Sequence, residues 1–128
     1  MFTVDRLSRT PIYEQIVEQF KEFVLTDRLD IQTPLPSIRN LSQALAVNPN
    51  TLQKAYTLLE NEGLCYSVPG SGRYVSRDAK AIISKDQSRQ LERIAEEVVK
   101  LAYKGMPLEE ILRIVRKSFL KTAEKNDG

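Results

Sequence analysis

Asn48, Asn50, Thr51, Gln53 and Lys54 crowd into one short stretch of this chain. Asn and Gln side chains can pair with both hydrogen-bonding groups on an adenine edge, and Lys suits guanine or phosphate. Thr51 lies near a helix start, where free backbone N–H groups favour a phosphate. The stretch sits inside a longer window, Ile31 to Leu59, that contains no Asp and no Glu. A second acid-free run extends from Gly63 to Arg77. Acids are frequent elsewhere, so one surface avoids negative charge, as contact with phosphates requires.

Ser37 and Arg39 share the first window. Arg39 is the lone charge of its segment and falls in a first helical turn, where a cation opposes the helix dipole. A phosphate or base contact would make use of it. In the second window, Gly70 and Gly72 permit positive φ or close backbone approach, and Ser71, Arg73 and Arg77 supply donors. Each feature alone has a plainer reading: a solvated helix face for Asn48–Asn61, and an ordinary turn for the two glycines. The order of the elements decides between them.

Thr10-Pro11 predicts a helix start, with a capping hydroxyl and then Pro at the first position. Ile12, Ile16, Phe20 and Phe23, widened by Tyr13, Val17 and Val24, extend that helix over 11–26. Thr33-Pro34-Leu35-Pro36 breaks the chain. Ser37 opens a short second helix, with Ile38, Leu41, Ala44 and Leu45 inward, ending near Ala46. Asn48 caps a third, with Pro49 in its first turn and Leu52, Ala55, Tyr56 and Leu59 as its buried stripe. Gly63 ends it. Leu64–Val68 and Arg73–Val75 read as strands joined by Pro69-Gly70-Ser71-Gly72. Two short helices with a tight connection, then a hairpin, describe a winged helix-turn-helix.

Residues 76–85 read as a linker. Ser84 to Gln87 resembles a capping box, and Leu91, Ile94, Val98 and Leu101 follow at helical spacing. Gly105 and Pro107 interrupt. Leu108, Ile111, Leu112, Val115 and Phe119 mark a last helix to about Thr122, with 123–128 fraying. One antiparallel pair cannot bury both stripes, whereas a four-helix arrangement of two chains can. The expected organisation is therefore a mainly α chain with a small β-hairpin wing: a winged domain over 1–77, then a linker and helical dimerisation region over 78–128.

Composition excludes several classes. The net charge is only +2. Residues 1–78 carry eight Lys/Arg against nine Asp/Glu, so the basic face is local. The chain has no His, which removes the commonest general base and His-containing zinc sites. No catalytic set, Gly-rich phosphate loop, cofactor site or metal-ligand cluster stands out. A single cysteine, Cys65, points to a reducing compartment and reads as a packed strand residue. No apolar run reaches membrane-spanning length and the N-terminus lacks a signal-peptide pattern, so a cytoplasmic protein is expected. A winged-helix module that binds protein instead of DNA is the rival reading. It calls for apolar anchors on the outer face of the third helix, where this chain has Asn50, Gln53, Lys54, Thr57 and Asn61.

Several separated runs resemble the GntR family of bacterial transcription regulators: Pro11–Ile16, Leu35–Leu41, Val47–Tyr56, Leu59–Leu64 and Gly70–Val75. The Asn-Pro-Asn-Thr run and the two-helix tail resemble the YtrA-like subfamily. The resemblance implies a dimeric repressor that binds a double-stranded DNA operator, often one controlling an ABC-type transporter operon. It names no small-molecule effector. Positions matching the family's DNA contacts are Ser37, Arg39, Asn48, Asn50, Thr51, Gln53 and Gly70. The chain departs from the family at Pro49 and Gln53, where Arg is frequent, which implies a different base preference. It departs also at Asp27 and Gln32, where glycine is usual.

Overall fold

The computed structural model describes residues 1–127. In chain order the elements are α1 (Ile12–Leu25), α2 (Ile38–Leu45), α3 (Pro49–Asn61), β1 (Cys65–Val68), β2 (Gly72–Val75), α4 (Ala79–Tyr103) and α5 (Leu108–Asp127). Met1–Asp86 forms one compact unit and the chain from Gln87 onward forms a second.

The first unit is built on α1 and α3. Ile16, Val17, Phe20, Phe23 and Val24 bury one face of α1, and Leu52, Ala55, Tyr56 and Leu59 bury one face of α3. The N-terminal segment joins this core, with Phe2 edge-on to Phe23 at 5.1 Å between ring centroids. Gln19 fixes it by donating to Thr3 O at 2.7 Å and accepting from Thr3 N at 2.9 Å. The start of α1 differs from expectation: no side chain caps it. The Thr10 carbonyl instead accepts from the Gln15 amide at 2.8 Å.

Ser37 and Asn48 cap as their types predict. Ser37 Oγ accepts from Asn40 N at 3.0 Å, and Asn48 Oδ1 accepts from Asn50 N at 2.8 Å. Ala44, expected inward, is exposed, because two turns of helix rest on the core along the line Ile38, Leu41, Leu45 alone. α2 ends at Ala46, which adopts φ 53°. Asp27 holds φ 61° in the α1–α2 connection and pairs with Lys80. A short polar side chain tolerates this left-handed geometry better than a β-branched or bulky one.

The hairpin pairs Cys65 with Val75, Ser67 with Arg73 and Val68 with Gly72. Leu35 N donates to Arg73 O at 2.7 Å, tying the lead into α2 to the hairpin. The linker expected over 76–85 is mostly helix. Ala79, Ile82 and Ile83 stand at i, i+3, i+4, and the first core takes up that edge, so α4 begins at Ala79 and the Ser84–Gln87 run lies inside it.

In the second unit α4 ends at a tight turn around Gly105, φ 86°. Pro107 O accepts from Glu110 N at 3.1 Å to start α5. Residues 123–127, expected to fray, continue α5, since Gly and Pro are absent from 108–127. Residue 128 lies outside the described residues. Among these, no helix is long and apolar enough to cross a membrane.

Ala46 offers a test of the α2–α3 turn. An alanine in the left-handed region is strained where glycine is not. Ala46→Gly should raise stability by about 1 kcal/mol in denaturant unfolding; a lower midpoint would contradict the turn geometry.

Candidate nucleic-acid interface

Burying Leu52, Ala55, Tyr56 and Leu59 turns the opposite side of α3 to solvent. Asn50, Gln53, Lys54 and Thr57 are exposed there, and Thr51 is partly covered. Gln53 Nε2 donates to Thr57 Oγ1 at 3.1 Å, which aligns its amide along the helix. Lys54 Nζ sits 3.9 Å from the ring centroid of Tyr13, so α1 supports this cation from beneath. Asn48 uses its carbonyl in the cap and keeps its NH₂ as a donor. Ser37 likewise accepts in the cap of α2 and keeps a proton to donate. Arg39 is exposed, and among the described residues no acid pairs with it.

Arg6 adds a contact that its sequence neighbours do not predict. Its Nη2 donates to Leu45 O at 3.0 Å and to Ala46 O at 2.8 Å, satisfying carbonyls at the end of α2. Ser42 Oγ donates to Val47 O at 2.6 Å in the same turn. The α2–α3 turn is thus held from both sides. Arg6 lies far upstream in the chain, and no local pattern marked it.

At the hairpin, Gly70 takes φ 77° and Gly72 φ 127°. A side chain at Gly70 would meet nothing within 4 Å, so that glycine serves the turn geometry and leaves an open tip. Ser71 hydrogen-bonds the Tyr74 hydroxyl. A groove of about 580 Å³ separates Pro34–Ile38 from Ser67–Arg73, with the cap of α2 at its wall.

Arg73 departs from the expected role of an outward donor. Strand alternation places it on the same face as Cys65, Ser67 and Val75. Its Nε donates to Glu60 Oε1 at 2.7 Å, and its guanidinium lies 5.1 Å from the Tyr56 ring centroid. Ser67 Oγ donates to the same Glu60 oxygen at 2.8 Å. Tyr56 donates its hydroxyl to Pro36 O at 2.7 Å. A Tyr in place of Phe within an apolar stripe signals such a partner. Burial raises the Tyr56 pKa well above the ordinary phenol value. Burial, then Glu60, pushes the Cys65 thiol up to about 12, so it stays protonated as a packed strand residue.

An exposed polar helix face, a capped second helix behind it and a glycine-tipped hairpin beside it define a winged helix-turn-helix DNA-binding protein. The family model "Bacterial regulatory proteins, gntR family" matches residues 12–75. The chain is 35% identical over 130 residues to the HTH-type transcriptional repressor YtrA of Bacillus subtilis (strain 168), covering 99% of this chain and 100% of that one. Its fold is similar to that of YtrA from Sulfolobus acidocaldarius, a GntR-family transcription factor. There the TM-score is 0.65 and the identity 31%, over 77% of this chain and 97% of that one. It is also similar to the AraR DNA-binding domain solved in complex with operator ORX1, with TM-score 0.51 and 29% identity over 57% of this chain and 90% of that one. The chain belongs to the GntR family, in its YtrA-like branch, and is a DNA-binding transcription regulator, not an enzyme.

The Arg73 hydrogen bond, then that of Ser67, holds the Glu60 carboxyl below its ordinary range. A carboxylate with a lowered folded-state pKa binds fewer protons folded than unfolded. Its stabilisation is therefore complete above the ordinary glutamate value of 4.5 and is lost as pH falls through the lowered folded value. Melting temperature followed from neutral to acid pH should drop less across this window in Glu60→Gln than in the parent. Superimposable acid limbs would show that the Glu60 carboxylate adds no stability over this window.

Proposed function

We propose that the chain is a cytoplasmic repressor that binds a two-fold operator as a homodimer, with α3 in the major groove. Asn50 and Gln53 read base edges, Asn48, Thr51 and Lys54 supplement them, and Ser37 and Arg39 anchor phosphates. Gly70, Ser71 and Gly72 bring the hairpin tip to the neighbouring backbone. The observation that carries this reading is the exposed polar face of α3, free of acids through Leu59, flanked by an open hairpin tip and by Arg39, which no acid pairs among the described residues. The likeness to YtrA of Bacillus subtilis along the whole chain supports repression. On the family resemblance, the regulated genes are those of an ABC-type transporter.

The dimer rests on the second unit. A groove of about 580 Å³ between α4 and α5 is lined by Ile94, Val98, Leu101, Ile111 and Val115, among others. Leu91 is 67% exposed, Leu108 63% and Phe119 76%, while Leu112 is half-covered. Each fully buried Leu, Ile or Phe contributes about 1.5–3 kcal/mol, so a second copy covering this face is strongly stabilised. Two half-sites then multiply the specificity of one short reading helix.

On an operator selected from random duplexes, Asn50→Ala or Gln53→Ala should cost roughly 1–3 kcal/mol and relax preference at particular base pairs. Arg39→Ala should weaken binding to every sequence and make the salt slope shallower by about one. Uniform weakening by the first two, or an unchanged slope for the third, would contradict the assignment.

Ile111→Glu tests the dimer by light scattering and operator binding. It should give a monomer with a folded winged unit and most specific affinity lost. A variant that stays dimeric, or a monomer that binds the full site as tightly as the parent, would overturn it.

A further inference from the structure

Arg73 stands in the hairpin that the preceding reading brings to DNA, yet its side chain serves another element. The pairing of Ser67 with Arg73 sets both on the hairpin face that also carries buried Cys65 and Val75. Both donate to one oxygen of Glu60, in the last turns of α3, at 2.8 and 2.7 Å. The guanidinium also covers the ring of Tyr56, one turn earlier on α3. Tyr56 in turn donates to Pro36 O at 2.7 Å, immediately before the Ser37 cap. The Arg73 carbonyl closes the circuit by accepting from Leu35 N at 2.7 Å.

We infer that Glu60 and Arg73 are positioning residues for DNA recognition, locking the hairpin and the start of α2 onto the reading helix, with Arg73 acting through Glu60 and not on a phosphate. Neither residue needs to reach the duplex. Three elements must meet one rigid double helix at once, and their mutual angles converge on a single carboxylate oxygen and a single phenol. Both ionic partners are partly shielded, with side chains 23% and 32% exposed, so the pair is not a loose surface contact. The inference rests on the DNA-contact reading above, and the test separates the two.

Glu60→Gln gives opposite signs under the two views of Arg73. It removes a negative charge from the phosphate-facing unit and frees a cation, which by electrostatics alone tightens binding to every duplex. A positioning role predicts a loss of about tenfold on the selected operator, equivalent to about 1.4 kcal/mol, with binding to random duplex held or tightened. The ratio of specific to random affinity carries the result, measured where thermal melting shows each variant fully folded. Arg73→Ala should lower that ratio similarly and leave the salt slope unchanged. The double variant Glu60→Gln/Arg73→Ala should be no weaker than Arg73→Ala alone. If Glu60→Gln melts below the assay temperature, Ser67→Ala is read in its place. That change removes only the second donor to the same oxygen and should lower the ratio about threefold. Tighter operator binding by Glu60→Gln, or a slope shallower by about one in Arg73→Ala, would make Arg73 a phosphate contact and overturn the inference. A parent that discriminates between duplexes while every variant keeps its ratio overturns the inference alone. A parent with no sequence preference overturns both readings.

Discussion

The seating of α3 on α1 is the constraint from which the rest follows. Leu52, Ala55, Tyr56 and Leu59 are each fully buried, and together they leave the helix one rotational setting. That setting decides which side chains face outward. A turn of about 100° would bury Gln53 or Lys54 and expose Tyr56, at the cost of apolar contact and an unpaired phenol. The polar face is thus a consequence of core packing, not an independent feature. Tyr56 carries the constraint beyond the helix, because its hydroxyl fixes Pro36 and its ring supports Arg73.

Charge is managed with the same economy. The surface assigned to DNA lacks acids across α2 and most of α3, so Arg39 and Lys54 need no large excess of cations around them. The acid that closes the first window, Glu60, is paired with Arg73 and receives Ser67 as well. On the proposed reading, the surface would meet phosphate without an exposed, unpaired Glu60 carboxylate near the end of α3. A chain with a net charge of only +2 can present a nucleic-acid face on these terms.

Much of this architecture was legible in the residues. Ser37 and Asn48 cap where their types predict, since a capping side chain acts within three residues. The apolar stripe of α3 follows from its periodicity, and the hairpin from its glycine turn between β-branched and aromatic runs. Long-range partners were not legible. Arg6 bonds Leu45 and Ala46 from 39 and 40 residues upstream, and nothing local marks such a contact. Arg73 looked like an outward donor because basic residues beside glycine turns invite that reading; the strand register, visible only in three dimensions, turns it inward. The segment 76–85 reads as a linker because Ser, Asp and Lys dilute its pattern. Ala79, Ile82 and Ile83 nonetheless form a short apolar edge, and a neighbouring core makes it helix.

One surface, formed by the starts of α2 and α3 and the hairpin tip, is proposed to meet DNA. Amide chemical-shift mapping of the full-length chain, titrated with an operator duplex selected from random DNA, tests it most directly. The account predicts the largest shifts at residues 37–39, 48–54 and 70–72, with residues of the buried α1 face little changed. Saturating binding with those segments unmoved, and the largest shifts elsewhere, would contradict it.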